Sequence, residues 1–227
     1  MSWLHVFDMD GTLLRATTAS LEIARHLGCL ADLLRLEQKF AAGVLDTKGF
    51  AAEIYRLWGE LTSRQVADAF SAAPWIDGLS DVLADIRKRG EHSLVVTMSP
   101  DFFADLLTGV GVDKVVASKF PALPFTSEPD PSSILSPADK ITAVDRALIG
   151  LGLGRERCVA YGDSASDFPL FKALRYTVAI NANVRLQRIA LLRYDGDDLR
   201  DAYELARARC DVVPLSRDGH ATQRERG

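Results

Sequence analysis

The first apolar run of the chain, LHVF at Leu4–Phe7, is short, rich in strand formers, and stops at Asp8. Over residues 17 to about 73 the period changes. SLEIARHLG, ADLLRLEQKFAAG, KGFAAEIYRLWG and TSRQVADAFSAA repeat apolar residues every three or four positions, with glycine stops at Gly28, Gly43 and Gly59. Four helices are predicted there. Beyond Pro74 the two patterns alternate: a helix near 79–88, the strand HSLVVT, a helix from Asp101, a short strand around Val115, a helix over 138–149, the strand CVAYG, a short helix, and the strand YTVAI. Strands separated by helices of about ten residues predict a parallel sheet with helices on both faces. The expected fold class is α/β, a Rossmann-like parallel sheet with an inserted all-helical cap. The core would comprise residues 1–15 and 75–212, and the cap 16–74 would lie over the sheet's carboxyl edge.

Two stretches break this alternation. Residues 119–137 hold five of the nine prolines, which bars a central strand and predicts an extended loop or edge hairpin near the site, with the character of a mobile flap. Residues 213–227, with RDGHATQRERG, have almost no apolar content and are expected to lack fixed structure.

Composition narrows the function classes. With 227 residues and 48% hydrophobic content, the chain can bury one substantial core and a small second module. A formal charge of -4 and a pI near 5.6 provide no broad basic field for nucleic acid or an anionic membrane. The start, MSWLHVF, lacks signal-peptide character, and no apolar run approaches the roughly 20 residues of a membrane span, so a cytoplasmic location is expected. Cys29, Cys158 and Cys210 are widely spaced and read as packing or surface residues rather than a disulfide framework or zinc site. Oligomeric state has no signature in the sequence.

Asp8 and Asp10 then need a cause. Aspartate and glycine are ordinary turn formers, so Asp10-Gly11 could close a loop, or Asp10 could cap a helix beginning near Thr12. Neither reading accounts for Asp8, which ends an apolar run where an unpaired carboxylate is costly. After CVAYG comes GDSASDFPLF, which places Asp163 at a second strand end and Asp167 about one turn further on. Four carboxylates on neighbouring strand ends would repel unless a cation joined them, and an all-oxygen set suits Mg²⁺. A third strand end, VVTMSPDF, offers the Thr97 hydroxyl, with Ser99 and Pro100 reading as the cap and first residue of the next helix. Lys140 falls in the first turn of its helix, where the dipole disfavours a cation and a local anion would explain it.

DMDGT at 8–12, Thr97, Lys140 and GDSASD at 162–167, in that order, resemble the haloacid dehalogenase superfamily, and within it the phosphatases with a helical cap inserted after the first motif. The resemblance implies hydrolysis of a small phosphorylated metabolite. In it Asp8 is the nucleophile that becomes an aspartyl-phosphate, and Asp10 is the acid and then the base. It assigns phosphoryl binding to Thr97, Met98 and Lys140, and Mg²⁺ to Asp8, Asp10 through its backbone carbonyl, Asp163 and, through a water, Asp167. A phosphotransferase or phosphomutase would share every motif. A dehalogenase would need neither Asp10 nor the Asp163/Asp167 pair.

The cap position, GDSASDFPLF and VAINAN resemble the phosphoserine phosphatases in particular. The likeness departs at the substrate end: Thr17 stands where that subgroup has a glutamate for the ammonium group, and its cap Phe/Arg pair is not reproduced in place. Glu22, Phe50 and Arg56 are the candidate replacements. L-phosphoserine is therefore expected to be no better a substrate than a sugar or cyclitol phosphate, with discrimination residing between Thr17 and Trp58.

Overall fold

The computed structural model describes residues 2–210; the tail 213–227 lies outside the described residues. β1 (Leu4–Phe7) is followed by α1 (Ala19–Leu27), α2 (Leu30–Ala41), α3 (Thr47–Leu57) and α4 (Ser63–Ala72), the four helices read from the period. Then come α5 (Leu79–Lys88), β2 (His92–Pro100), the short α6 (Asp101–Ala104) and α7 (Leu107–Val110), and β3 (Lys114–Ser118). α8 (Asp139–Leu151), β4 (Cys158–Gly162), α9 (Phe168–Ala173), β5 (Tyr176–Ile180), α10 (Val184–Ile189), β6 (Leu192–Tyr194) and α11 (Leu199–Cys210) complete the described residues.

All six strands are parallel, in the order β3-β2-β1-β4-β5-β6. The chain winds outward from β1 through β2 to β3, returns to β4, and winds outward the other way, so the topological switch lies between β1 and β4. Alternate strand residues serve opposite faces. Phe7, Val95, Val159 and Val178 pack with α5 and α11 residues such as Leu83 and Ala202. Val6, Leu94, Ala160 and Ala179 pack with α8, α9 and α10 residues such as Leu148, Phe171 and Leu186. Burial on both faces is why β1, β4 and β5 read as largely apolar runs, with His5 and Thr177 buried among them.

α1 to α4 form a single insert between β1 and α5. Its two connections run side by side: Leu13 carbonyl accepts from Ile76 N at 2.8 Å, Pro74 carbonyl from Arg15 N at 3.0 Å, and Leu14 and Trp75 form an antiparallel bridge. Each helix turns an apolar stripe toward its neighbours. Thr18 caps α1, Asp46 caps α3, and Thr62 with Gln65 forms a capping box on α4.

The proline-rich stretch 119–137 is no edge hairpin. It is an irregular strap with a turn at residues 123–125 and a short 3-10 helix at Pro131–Ser133. Its ends are tied by Lys119 N to Ser133 carbonyl at 3.0 Å, Phe120 N to an Asp101 carboxylate oxygen at 3.1 Å, and Leu135 N to Ser118 Oγ at 3.0 Å. Midway, the Phe125 ring meets Tyr55 of α3 at 5.5 Å, joining strap and insert. Among the described residues no helix is long and apolar enough to cross a membrane.

Candidate active site

Three strand ends, those of β1, β2 and β4, and the start of α8 deliver the acidic groups and their partners to one place, the carboxyl edge at the switch between β1 and β4. Asp8 follows β1 directly, and its amide continues the ladder by donating to Tyr161 carbonyl at 2.9 Å. From there the chain folds into a tight turn on Met9 carbonyl rather than a helix at Thr12. Gly11 makes the turn possible: its φ is +80°, and a Cβ there would collide with the Asp163 carboxylate. Gly162 serves the same end on β4, since a Cβ would come within 2.5 Å of Asp167 Oδ2.

Lys140 Nζ sits at the centre. It is 1% exposed and donates to Asp8 Oδ1 and Asp167 Oδ1, both at 2.7 Å, and to Ser166 Oγ at 3.2 Å. The local anion that its helix position called for is this carboxylate pair. Burial pulls the amine's pKa down, but Asp8 and Asp167 outweigh it, and Lys140 is held above the ordinary amine range. Asp167 is fixed from its other oxygen by the amides of Asp163 at 3.1 Å and Ser164 at 3.3 Å.

One ammonium does not balance three carboxylates. Burial first, and then Asp167, raise the Asp8 pKa well above the usual range despite Lys140. The same two causes raise Asp163 to about 7. Asp163 Oδ1 is buried without a hydrogen-bond partner, and one oxygen from each of Asp8, Asp163 and Asp167 falls within 4.8 Å of the others. A hard divalent cation fits this donor set, which is all oxygen, over-negative, and holds an orphaned buried acceptor.

A pH dependence of stability follows. Asp163 retains its proton in the folded, metal-free protein up to about 7, whereas an unfolded aspartate releases it near 3.8. The folded state thus binds the extra proton across that window, so stability falls as pH rises through it. The melting temperature of chelated protein is expected to drop between those two pH values, and Mg²⁺ to restore it most at the upper end; differential scanning calorimetry in a pH series checks this.

Asp10 lies outside the trio. Its Oδ1 accepts from Ala19 N at 2.7 Å, so it helps cap α1, and its Oδ2 accepts from Ser99 Oγ at 2.6 Å and Thr97 Oγ1 at 3.2 Å. Burial raises its pKa, while Ser99, Ala19 and Thr97 temper the rise. A carboxyl group shifted toward its protonated form and steadied by three donors is suited to proton transfer. Ser99 was expected as a helix cap. Instead β2 runs on to Pro100, α6 has no side-chain cap, and the Ser99 hydroxyl is committed to Asp10. Its signal was the two-residue spacing from Thr97, which puts both hydroxyls on one side of a strand.

Above these groups lies a cavity of about 640 Å³ between the strand ends and the insert. Asp8, Asp10, Thr97, Met98, Lys140 and Asp163 form its floor; Asp167 is in contact with Lys140 but beneath the surface. Thr17 and Phe50 reach its wall, as do Glu37, Phe40 and Ile54. Glu22 and Arg56 do not. Glu22 pairs with Arg25 and accepts from Thr17 Oγ1, and Arg56 pairs with Glu53 at 2.6 Å on the exposed side of α3. Arg56 points outward because Glu53 and Arg56 each follow the inward residues Ala51 and Ile54 by two positions, about 200° around the helix. Glu37 was missed by sequence reasoning, yet it falls within the stripe Leu33, Leu36, Phe40 on the i, i+3, i+4, i+7 spacing, a charge at an apolar position.

A parallel sheet with an acidic centre at its switch point and a helical insert over it is the frame of an α/β enzyme whose site lies at the strand ends. The family model for haloacid dehalogenase-like hydrolases matches residues 5–172, and the chain belongs to that family. The phosphoserine phosphatase of Methanocaldococcus jannaschii is 24% identical over 200 residues, which cover 87% of this chain and 94% of that one. Phosphoserine phosphatase SerB1 of Mycobacterium tuberculosis is 27% identical over 227 residues, covering 88% and 71%. A substrate-bound phosphoserine phosphatase structure superposes with a TM-score of 0.75 at 21% identity, covering 90% of this chain and 98% of that one. A phospho-aspartyl intermediate analogue of phosphoserine phosphatase superposes at 0.74 with 22% identity and the same coverage. This chain is a phosphatase of the family, similar to that subgroup.

Proposed function

We propose that the protein hydrolyses a small phosphomonoester through an aspartyl-phosphate on Asp8, with Mg²⁺ as cofactor. The observation that carries this reading is the division of labour around one cavity floor: Asp8 is held by Lys140 in an over-negative trio, and Asp10, apart from it, is held by Ser99, Thr97 and the Ala19 amide. Asp8 attacks phosphorus in line with the ester oxygen, which leaves with the proton of Asp10. A water then attacks the aspartyl-phosphate, giving its proton to Asp10, and phosphate departs as Asp8 is regenerated. Lys140 and the Thr97 hydroxyl bind and orient the phosphoryl oxygens, together with the backbone at Met98. Asp8, Asp163 and the Asp10 carbonyl, together with Asp167, would hold Mg²⁺, which would supply charge neutralisation at those oxygens. A cytoplasmic location accords with this reading.

Phosphate release from p-nitrophenyl phosphate tests it. Chelation is expected to remove activity and Mg²⁺ to restore it, and Asp163→Ala to raise the Mg²⁺ concentration needed by about tenfold or more, as loss of one carboxylate donor implies. Full activity in thoroughly chelated protein, or phosphoryl transfer to an alcohol without phosphate release, would count against it.

A further inference from the structure

We infer that Glu37 selects the substrate's cationic end, so that the favoured class is the phosphate ester of an amino alcohol bearing an ammonium group and no carboxylate. This rests on the phosphatase reading of the same cavity and adds to it which body the phosphate is attached to.

Glu37 stands on the cavity wall, half-buried on the inward stripe of α2. The Thr18 hydroxyl donates to it only at long range, 3.5 Å, and no ion pair reaches it among the described residues. Burial, and then the negative charge of Asp10, raise its pKa, so its charged form is left under-compensated. A ligand cation beside it relieves both costs at once.

The rest of the wall rejects a second anion. Among the described residues Lys140 is the single basic side chain lining the cavity, and it sits on the floor beside Asp8 and Asp167, at the phosphoryl end rather than on the wall that would face the substrate's body. Arg25 is committed to Glu22, and Arg56 to Glu53. A carboxylate on the substrate body would be desolvated without a partner, which is expensive. Beside Glu37, the rings of Phe40 and Phe50 line the same wall with centroids 5.3 Å apart and planes inclined at 46°. Aromatic faces next to a carboxylate attract an ammonium group. A sugar or cyclitol phosphate would instead press several hydroxyls against Phe40, Phe50, Ala51, Ile54 and Ile134, which cannot hydrogen-bond them.

The test is kcat/KM, from phosphate release with Mg²⁺, for 2-aminoethyl phosphate, 2-(trimethylammonio)ethyl phosphate, n-propyl phosphate, glucose 6-phosphate and L-phosphoserine. At least one ammonium ester is expected to exceed n-propyl phosphate by about tenfold, the worth of one partly desolvated charge pair. L-phosphoserine and glucose 6-phosphate should not exceed n-propyl phosphate. In Glu37→Gln the ammonium-to-propyl ratio should fall toward one, and a ratio is insensitive to a general loss of folded enzyme. A wild-type ratio near one, a ratio unchanged in Glu37→Gln, or a preference for L-phosphoserine or the sugar phosphate would overturn the assignment while hydrolysis itself stood. Failure to hydrolyse any of these esters or p-nitrophenyl phosphate would overturn both readings.

Discussion

Asp8→Asn is expected to lower phosphate release by at least about a thousandfold, the scale of losing a covalent nucleophile. The amide nitrogen cannot attack phosphorus, and the amide oxygen carries no charge to share. The substitution keeps the shape of the side chain, and its oxygen can still accept from Lys140, now at 2.7 Å from Asp8 Oδ1. It also removes one negative charge from a cluster in which the neighbouring Asp167 and Asp163 raise the proton affinity of Asp8. The fold should therefore survive, with a melting temperature no lower than that of the wild type in chelator. Steady-state rates on protein checked for deamidation by mass spectrometry, alongside circular dichroism, separate the two effects. Wild-type-like turnover would take Asp8 out of the role assigned to it.

The second large effect is on stability. Lys140→Ala deletes the one cation among Asp8, Asp163 and Asp167 and leaves a cavity in a place that is 1% exposed. Removing one partner of a buried ion pair costs about 3–5 kcal/mol because the remaining charge stays buried. Urea denaturation in chelator should show a loss of that order. Asp167→Asn introduced into Lys140→Ala should recover part of it, since the pair of changes removes charge on both sides. An unchanged denaturation midpoint in Lys140→Ala would mean that the cluster is balanced by something other than this lysine.

The strands that could be read from the sequence were those buried on both faces. LHVF, CVAYG and YTVAI are apolar but for His5 and Thr177 because helices cover each side of the sheet. β6 escaped notice because it is a three-residue edge strand with Arg193 exposed in its middle. α11 escaped because its inward stripe, Leu199, Ala202, Tyr203, Ala206 and Cys210, is built largely from small residues between charges. The reactive groups announced themselves through local context: a carboxylate at the end of an apolar run is costly, and Asp8 and Asp163 both sit there. Glu22, Arg56 and Glu37 show where that signal stops. A charge on an amphipathic helix has the same sequence appearance whether it faces water or a cavity, and the outcome depends on how α1, α2 and α3 converge. Only the phase of Glu37 against Leu33, Leu36 and Phe40 distinguished it, and that distinction needs the helix ends to be placed within a residue.

The side-by-side connections at Leu13/Ile76 and Arg15/Pro74 give the molecule a modular joint. A segment whose two ends already meet can be exchanged for another of different length or composition without relocating any strand. Recognition and reactivity are then separately evolvable: residues 19–72 can drift, or be grafted from a relative, while the strand-end chemistry stays in register. One condition travels with any graft. Ala19 N donates to Asp10, so a transplanted helix must present a free amide at the same point, or the new selectivity arrives with Asp10 one donor short.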